Sequence, residues 1–576
     1  MKGKILVSAV SLILVVGVAL GVVIAVHKNN GGDDTQVRAQ KKAVMTVCQS
    51  TSDQKLCHDV LSSARNAGST DPKEYLATIV KTTTEYVIKS FNLTDRLSVS
   101  HGSSDNGIKM ALDDCKRMLE HAMDSLDFST TLLRDNNIQA VHFQTPDLRN
   151  WLGAVISYQQ ACMEGFDESK DAEKKLKEEL NIQGLDKTKN ITAIGLDIIA
   201  DLSKILEQFN LKIDLKPASR RLLGHVEVDD EGTPTWFSHA DRKLLKAGWR
   251  TRVNKPNVVV AKDGSGQFKT IKEAINSYPK GHKGRYIIYV KAGVYDEYLL
   301  NPKTNENVII YGDGPTRTIV TGRKSFRDGV KTMDTATFAN EAKGFIARSM
   351  RFENTAGPEG HQAVAFRNQG DASAIVGCHI FGYQDSLYAQ SNRQFYRNCE
   401  ISGTVDFIFG MSSALFQNSK IIVRKPGPKQ FNTVTADGTE VRNVGTGIVI
   451  QNCQIVPEAA LFPVRFQVKS FLGRPWKQCS TTVVMESTLG DFINPEGWAP
   501  WAGSQFLDTL YYAEYANTGP GANVQRRIRW KGYRGVISKA EAYRFTAGEF
   551  LKAGHDSNMS WLRKQHVPNY LEFARP

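Results

Sequence analysis

Apolar residues between Ala43 and about Leu215 recur at steps of three and four, the spacing of one face of an α-helix. In ALDDCKRMLEHAMDSLDFSTTLL, this face carries Leu112, Cys115, Met118, Leu119, Ala122, Met123 and Leu126. WLGAVISYQQACMEGF and ITAIGLDIIADLSKIL show the same spacing. The pattern predicts an antiparallel helical bundle. We find no cluster of His, Cys and acidic residues at metal-ligand spacing in it, which favours a binding or folding module over a catalytic one.

The pattern changes after Asn257, where short runs rich in Val, Ile and Tyr end at Gly or Asp. NVVVAKDG, RYIIYVKAGVY and NVIIYGDG are such runs, and they predict β-strands. An internal repeat follows, in which Cys378 to Tyr388 aligns with Cys399 to Phe409 at a constant offset of 21 residues. Weaker echoes begin at Asn418 and Asn452. One strand per repeat of about 20 residues, without a leucine ladder, favours an all-β right-handed parallel β-helix.

Composition and charge divide the 576 residues at a similar place. Residues 1–221 hold 28 basic and 28 acidic side chains and residues 222–576 hold 45 and 32, so the whole formal charge of +13 lies in the second part. Glycine splits 12 to 34 and proline 3 to 16 across the same line. A basic excess fits nucleic acid, an anionic membrane or an acidic polymer. The absence of zinc-finger spacing, a basic zipper and an RNA-binding aromatic motif from the sequence disfavours nucleic acid.

The N-terminus predicts export. Ile5–Val26 is 22 residues without a charge, preceded by Lys2 and Lys4. That length is nearer the ~20 residues needed to span a bilayer than the apolar core of a cleaved signal peptide, about 7–15 residues. Residues 1–28 therefore predict a signal-anchor, with a cleaved signal peptide as the alternative. In either case the N-terminus is expected to be cytoplasmic and the remainder exported. The polar residues 29–42 predict a stalk.

The helical pattern breaks at KPASRRLLGHVEVDDEGTPTW, and residues 216–249 predict a linker. The dibasic pair Arg220-Arg221 lies within it. At the boundary between two domains of an exported chain, this pair predicts cleavage by a processing protease, with an uncut solvated loop as the alternative. The predicted domains are a bundle over 43–215 and a β-helix over 250–576.

Export makes the eight cysteines candidates for disulfides. Four precede Arg221 and four follow it: Cys48, Cys57, Cys115, Cys162, then Cys378, Cys399, Cys453 and Cys479. Four cysteines allow three pairings, which stay open. The repeat stacks Cys378 on Cys399 within the Cα separation that a disulfide accepts, about 4.4–6.8 Å, and so predicts a bridge, with two free stacked thiols as the alternative. Sequons at Asn92, Asn190 and Asn558 predict N-glycosylation.

The same repeat places two carboxylates in equivalent positions of neighbouring coils. The offset stacks Asp406 on Asp385 at the strand spacing of about 4.8 Å. Two carboxylates that close cannot both ionise freely, so one pKa rises and the other falls. This arrangement supplies an acid and a nucleophile side by side. Capping of turns by the two aspartates is the structural alternative.

Residues near this pair favour a catalytic role for the two aspartates over turn capping. Gln384 and Gln362 offer amide donors of the kind an oxyanion hole requires, and Arg474 in LGRPW can hold one carboxylate ionised. Flat faces for sugar rings, each of which could equally serve ordinary packing, are offered by Trp476, Tyr388 and Phe409. Without a Ser-His pair or metal ligands, this set indicates acyl transfer with a carboxylate nucleophile.

GHQAVAFR, GYQDSLYAQSNRQFY, GTVDFIFG and LGRPW resemble the signature segments of plant pectin methylesterases, and the similarity runs from about Asn257 to the C-terminus. The front part, with its cysteines and ALDDC, resembles the four-helix pectin methylesterase inhibitor fold. Arg220-Arg221-Leu222-Leu223 resembles the dibasic motif between the two. The resemblance implies an inhibitor-like pro-region and a pectinesterase that acts on methylated homogalacturonan without a metal or cofactor. It implies secretion to the cell wall or apoplast, with membrane anchoring possible before processing, and inhibitor proteins as partners.

The resemblance also implies roles for single residues. Asp406 is the nucleophile on the C6 methyl ester, and Asp385 is the acid that protonates methanol and then the base that activates water. Gln384 and Gln362 stabilise the oxyanion, and Arg474 orients Asp406. The residues implied or proposed to touch the sugar are Thr332, Gln362, Arg474, Trp476, Tyr388 and Phe409. Whether the bundle still inhibits is left open by its weaker match.

Three positions depart from the family's usual residues: Ser386 replaces Thr, Met411 replaces Asn and Phe366 replaces Leu. None of them removes a catalytic group.

Two other functions stay open. A pectin lyase or polygalacturonase would need a calcium site with a basic proton abstractor, or an acid placed on the glycosidic oxygen. A non-enzymatic chain would combine an inhibitor of another esterase with a pectin-binding scaffold.

Overall fold

The computed structural model describes residues 33–62, 71–101, 105–211, 255–554, 561–565 and 567–574. They form a helical bundle followed by a β-helix, as the two patterns predict. The predicted anchor at Ile5–Val26, the linker 216–249 with Arg220 and Arg221, and Asn558 lie outside the described residues. Within the described ranges, every helix is too short or too polar to cross a membrane.

The bundle is built from long helices joined by short ones. In chain order they are α1 (Asp33–Cys48), α2 (Gln54–Ser62), α3 (Pro72–His101), α4 (Asn106–Asp135), α5 (Ile138–Phe143), α6 (Thr145–Glu164), α7 (Asp171–Leu180), a π-helical turn (Asn181–Leu185), α8 (Asp186–Ala200) and α9 (Leu202–Gln208). Helices α3, α4, α6 and α8 pack around one another in a ring, with α3 and α6 each touching α4 and α8. This is the arrangement of a four-helix bundle.

Helix α4 shows how the sequence sets these boundaries. Asp105 caps its N-terminus, because the side chain accepts hydrogen bonds from the backbone N–H groups of Gly107 (2.6 Å) and Ile108 (3.4 Å). Six of the seven residues of its predicted apolar face are buried, and Met123 is partly buried against the same core. The spacing of three and four residues therefore identified the buried face of α4.

The cysteines of the bundle pair as Cys48–Cys57 and Cys115–Cys162, which resolves the open connectivity. The first bridge ties α1 to α2, and the second ties α4 to α6. The predicted stalk over 29–42 is wrong from residue 33 onward, because α1 begins at Asp33. The apolar residues that follow, Ala43, Val44 and Val47, are buried in the bundle core and favour a helix that extends back from them.

The rear domain is built from three parallel sheets. The eleven-stranded sheet contains β1 (Val258–Val260), β2 (Tyr286–Val290), β5 (Val308–Gly312), β8 (Ile346–Arg348), β11 (Ser373–Val376), β14 (Arg393–Arg397), β17 (Ser413–Gln417), β20 (Gly447–Gln451), β23 (Thr481–Met485), β25 (Tyr511–Tyr515) and β26 (Tyr533–Val536). The eight-stranded sheet contains β3 (Gly293–Asp296), β6 (Thr318–Gly322), β9 (Arg351–Asn354), β12 (His379–Phe381), β15 (Glu400–Gly403), β18 (Lys420–Val423), β21 (Gln454–Pro457) and β24 (Thr488–Leu489).

The seven-stranded sheet contains β4 (Leu299–Asn301), β7 (Phe338–Asn340), β10 (Phe366–Asn368), β13 (Leu387–Ala389), β16 (Ile408–Gly410), β19 (Asn432–Asp437) and β22 (Ser470–Gly473). Short α-helices accompany the β-helix at α10 (Ile271–Asn276), α11 (Lys539–Tyr543), α12 (Ala547–Phe550) and α13 (Trp561–Lys564). Short 3₁₀ turns lie at Phe326–Asp328, Thr332–Thr335, Pro358–Gly360, Phe462–Val464 and Pro520–Ala522. Successive strands of one sheet come from successive coils, as in a parallel β-helix.

The predicted register is confirmed. Ile380 pairs with Ile401 and Leu387 with Ile408, both at the offset of 21 that the repeat gives. The echoes at Asn418 and Asn452 also pair, since Ile421 lies beside Ile455. These side chains are buried within the coils, so an aliphatic ladder runs along the axis of the domain.

The predicted Cys378–Cys399 disulfide is wrong. Both residues are buried with free thiols, and Cys453 and Cys479 are also free. The Cys399 thiol lies 3.3 Å from the carbonyl oxygen of Arg397, and the Cys378 thiol lies 3.6 Å from that of Val376. Stacked side chains point in parallel at the coil spacing of about 4.8 Å, whereas a disulfide draws its Cβ atoms to about 3.8 Å. The alternative of two packed free thiols holds instead.

Candidate active site

Asp385 and Asp406 lie two residues before β13 and β16, which pair directly. Both have left-handed backbones, with φ of 61° and 51°, a conformation that aspartate tolerates better than most residues. Both side chains are buried, with 8% and 5% of their surface exposed. The turns that enter one sheet thus place two carboxylates side by side on neighbouring coils, as the repeat predicts.

Arg474 holds Asp406 through two parallel hydrogen bonds. Its Nε donates to Oδ1 at 2.8 Å, and its Nη2 donates to Oδ2 at 2.6 Å. The guanidinium lies 4.3 Å from the ring centroid of Trp501, which fixes it from the other side. This fork-to-fork geometry compensates the negative charge of Asp406 and sets its orientation.

Thr433 is a second anchor for Asp406 that the sequence did not reveal. Its Oγ1 donates to Asp406 Oδ1 at 2.6 Å and accepts from the Asp406 backbone N–H at 2.8 Å. Thr433 lies at the second position of β19, in the next coil. The repeat could not identify it, because the spacing lengthens from 21 to 27 residues at this coil.

The two carboxylates differ in environment. Burial and the negative charge of Asp406 raise the pKa of Asp385 well above its ordinary value, and the positive charge of Arg474 opposes this only in part. Asp406 has the guanidinium as a direct partner. A carboxyl group with a raised pKa therefore lies beside a carboxylate that is paired with a guanidinium.

Gln362 and Gln384 lie on neighbouring coils beside this pair. The backbone N–H of Ala363, the residue after Gln362, donates to the carbonyl oxygen of Gln384 at 3.2 Å. This hydrogen bond links the coil of Gln362 to the coil of Gln384. Asp385, which follows Gln384, donates its backbone N–H to Val405 at 3.1 Å. Both side chains are partly exposed. Gln384 thus lies on the coil that carries Asp385, and Gln362 lies on the coil before it.

An aromatic row lies on the outer face of the seven-stranded sheet. The rings of Tyr388 and Phe409 stack with centroids 4.3 Å apart and planes at 11°, and Trp476 meets Phe409 at 5.9 Å and 64°. Alanines 336, 339 and 436 surround the row. Thr332 begins the 3₁₀ turn before β7, and its side chain is partly exposed. Tyr388 and Phe409 are buried while the bundle is in place, and Trp476 is partly exposed. The row lies next to the two carboxylates, but only Trp476 offers an open face.

The bundle is seated beside this face. Ser157 of α6 donates to the carbonyl oxygen of Gln390 at 2.6 Å, directly after β13. Tyr158 accepts from Asn392 at 3.1 Å. Four apolar side chains of the β-helix join the apolar core of the bundle: Met333, Met411, Val441 and Val444. Met411, one of the departures from the family pattern, is therefore part of the contact between the two domains.

Ion pairs of the bundle flank two residues predicted to touch the sugar. Lys331, which precedes Thr332, binds Glu173 at 2.6 Å. Lys477, which follows Trp476, binds Glu164 at 2.5 Å. The charge of Glu164 also contributes, after burial, to the raised pKa of Tyr388. The bundle thus contacts both ends of the candidate substrate face, the surface that runs from Thr332 to Trp476.

The described residues contain no group of three or more His, Cys, Asp or Glu side chains arranged to hold a metal ion.

Two family models match the chain. The model described as Pectinesterase matches residues 257–554, and the model described as Plant invertase/pectin methylesterase inhibitor matches residues 42–198. Pectinesterase 4 of Arabidopsis thaliana is 40% identical over 608 residues, and a probable pectinesterase/pectinesterase inhibitor of Brassica napus is 40% identical over 599 residues; each match covers 99% of both chains. The solved structure of a pectin methylesterase from carrot is 49% identical with a TM-score of 0.54, covering 55% of this chain and 98% of that one.

Proposed function

The chain belongs to the pectinesterase family, and from that premise we propose that it hydrolyses the C6 methyl esters of homogalacturonan to pectate and methanol. One observation carries the proposal: Asp406, held by both nitrogens of the Arg474 fork, lies beside Asp385, whose pKa is raised. The pair supplies a fixed nucleophile and a proton donor at one place.

In the proposed first half-reaction, an oxygen of Asp406 attacks the ester carbonyl carbon and forms a tetrahedral oxyanion. The amides of Gln362 and Gln384 donate hydrogen bonds to that oxyanion. Its collapse breaks the bond to the methoxy group, and Asp385 gives its proton to the departing oxygen, which leaves as methanol. An acyl-enzyme anhydride on Asp406 remains.

In the second half-reaction, Asp385 is ionised and accepts a proton from water as the water attacks the anhydride. The bond between the galacturonate carbonyl carbon and the Asp406 oxygen breaks, which regenerates the Asp406 carboxylate and leaves Asp385 protonated again. The galacturonic acid formed loses its remaining proton to solvent. Tyr388, Phe409 and Trp476 would hold the sugar rings, with Thr332 at the edge of the same face. Released methanol with an unshortened polymer is expected; a shortened polymer would instead indicate a lyase or polygalacturonase.

We further propose that the bundle restrains the enzyme while it is attached. The ion pairs Lys331–Glu173 and Lys477–Glu164 place it at both ends of the substrate face. A tether makes such contacts effective, because the local concentration reaches about the millimolar range. Separate inhibitor proteins with the same fold would compete for this face.

The test compares methanol release by the uncut chain with release by a fragment that begins at Leu222. The double variant Glu164→Gln/Glu173→Gln should raise the activity of the uncut chain toward that of the fragment. Glu168→Gln, which removes a partner of Lys177 inside the bundle, is the matched control and should change nothing. An uncut chain as active as the fragment would show that the bundle serves folding or targeting.

Release of the bundle is proposed to follow cleavage after Arg221 by a processing protease, during or after export to the cell wall. Replacing Arg220 and Arg221 with alanine should leave a longer and less active product in plant secretory cells. Identical cleavage of the double variant would exclude this site. Retention of the uncut form in membranes would support anchoring through Ile5–Val26.

We also propose that Asn92 and Asn190 are glycosylated during export. Asn92 is exposed on α3, and Asn190 is partly exposed on α8. The hydroxyls of their sequon partners, Thr94 and Thr192, are buried and donate to backbone carbonyls. Modification would therefore precede folding of these helices. Loss of a glycan mass on Asn92→Gln and Asn190→Gln checks the proposal.

A further inference from the structure

A basic cavity of about 850 Å³ lies where the bundle meets the β-helix, away from Asp385 and Asp406. One wall is the start of α6, with Arg149, and the others are the segment 439–446, the start of β23 and the C-terminal segments. Its lining contains seven cations, Arg149, Arg393, Arg442, Lys531, Arg534, Arg544 and Lys552, against the two carboxylates of Asp508 and Glu549. Its volume lies within the range of small-molecule sites, about 300–1,000 Å³.

Most of this positive charge has no direct ion-pair partner, although the Glu541 carboxylate interacts with Arg534 and Arg544 at longer range. Arg393 is paired with Asp371 and Asp147, and Lys552 lies 3.8 Å from Glu549. Within the part of the chain that the structure describes, the other five cations have no carboxylate within 4.0 Å: Arg149, Arg442, Lys531, Arg534 and Arg544. Cations gathered in this way raise the local concentration of anions.

Arg149 carries the strongest sign of a missing partner. Its Nε is buried and has no hydrogen-bond partner among the described residues. Burial lowers the pKa of Arg149, and the nearby positive charge of Arg544 lowers it further. A buried donor without a partner is costly, and the repulsion between the two arginines acts against seating of the bundle. An anion between them would remove both costs.

The remaining lining fits an acidic sugar better than a simple ion. Hydroxyl and amide groups line the same space at Thr145 and Asn150, while the hydroxyls of Thr439 and Thr446 are buried and hydrogen-bonded to each other at 2.7 Å. Tyr511 adds an aromatic face, above which the Arg534 guanidinium lies at 5.5 Å. Guanidinium forks bind carboxylates through two parallel hydrogen bonds.

We propose that this cavity binds carboxylates of de-esterified galacturonan, the product class of the reaction, and that occupancy holds the bundle on the β-helix. The identity of the ligand rests on the proposed function; the anion site itself rests on the cavity. Arg149 belongs to the bundle and Arg544 to the β-helix, so a ligand that bridges them binds the seated arrangement more tightly than the separated one. By linkage, product then opposes release of the bundle.

The test measures binding to the full chain by calorimetry with unesterified trigalacturonate, its fully methylated ester and inorganic phosphate. Arg149→Gln/Arg544→Gln should weaken binding of the unesterified sugar at least tenfold. Lys204→Gln/Arg323→Gln is the matched control, since it removes one exposed cation from each domain outside the cavity, and it should leave binding unchanged. The methylated ester should not distinguish the two variants.

A second readout does not depend on the variants. Unesterified trigalacturonate should slow amide hydrogen exchange in α6 of the wild-type chain, and this protection should be lost in Arg149→Gln/Arg544→Gln. Equal binding by both double variants, or no protection of α6, would overturn the proposal. Phosphate that binds as tightly as the sugar at the same arginines would overturn the assignment of an acidic sugar. Neither result depends on methanol release, so failure here is distinct from failure of the proposed function.

Discussion

Arg474 donates two hydrogen bonds to the Asp406 carboxylate, from Nε at 2.8 Å and from Nη2 at 2.6 Å, while Trp501 lies against its guanidinium. The fork fixes both oxygens of the carboxylate, which a single point charge does not do. Attack on an ester needs one carboxylate oxygen aimed along a defined direction, so this pair sets the geometry of the proposed reaction.

Arg474→Lys should keep the positive charge and lose the fork. We expect methanol release at saturating substrate to fall about 100-fold, because a small misplacement of a reacting group costs this much. Arg134→Lys is the matched control, since Arg134 forms a similar fork with Asp135 on the exposed surface of the bundle. A variant with wild-type turnover would show that charge alone suffices at this position.

Thr433→Val should lower turnover about tenfold while the domain stays folded. The substitution keeps the shape of the side chain but removes the hydroxyl that both donates to Asp406 Oδ1 and accepts from its backbone. Thr433→Ser restores the hydroxyl and should recover most of the rate. If Thr433→Ser is as slow as Thr433→Val, packing of the methyl group matters and the hydroxyl does not.

Asp385→Asn should stabilise the protein at neutral pH while it impairs turnover. Because the folded-state pKa of Asp385 is raised, the native state holds the proton more tightly than the unfolded state. The stability that this gives is complete below the ordinary pKa of about 3.9 and is lost as the pH rises above it. Asparagine cannot ionise, so the gain in melting temperature over wild type should grow from about pH 4 upward.

Thermal melts of wild type and Asp385→Asn between about pH 3.5 and 8 measure this gain. A difference in melting temperature that is the same at every pH would contradict the raised pKa. The pH profile of any remaining methanol release should also change, because the substitution removes the Asp385 carboxyl group, whose pKa is raised.

Alkylation of the denatured, unreduced protein should label four cysteines. The free thiols are Cys378, Cys399, Cys453 and Cys479, and the two bridges lie in the bundle. In the folded protein, Cys378, Cys399 and Cys453 should resist labelling, since all three are buried with raised pKa values. A peptide that joins Cys378 to Cys399 would contradict the packing of this coil.

The offset of 21 residues was enough to predict the stacking of Asp406 on Asp385, because parallel coils carry sequence spacing directly into space. The same offset explains the stacking of Tyr388 on Phe409, which was not predicted. The same argument failed for Cys378 and Cys399, since stacking keeps side chains parallel and does not bring sulfur atoms together. The offset therefore predicts which residues are neighbours better than it predicts bonds between their side chains.

Other parts of the site could not be predicted, because the fold assembles them across irregular distances. Trp501 reaches Arg474 from a loop outside the repeats. The seating of the bundle depends on complementary surfaces of two domains, as at Ser157 and Gln390, and a pattern within either domain does not reveal these. The predicted boundary between the stalk and the bundle was wrong for a local reason, because the polar first residues of α1 resemble a linker in sequence.

Methanol release by Asp406→Asn tests the central claim most directly. The amide keeps the shape of the carboxylate but cannot form the acyl intermediate, so release from methylated pectin should fall by about 1,000-fold or more while the circular dichroism stays unchanged. Asp437→Asn, at a second fully buried aspartate of the same sheet, is the matched control and should retain activity. An Asp406→Asn protein that keeps a tenth of wild-type activity would contradict the assignment of Asp406 as the nucleophile.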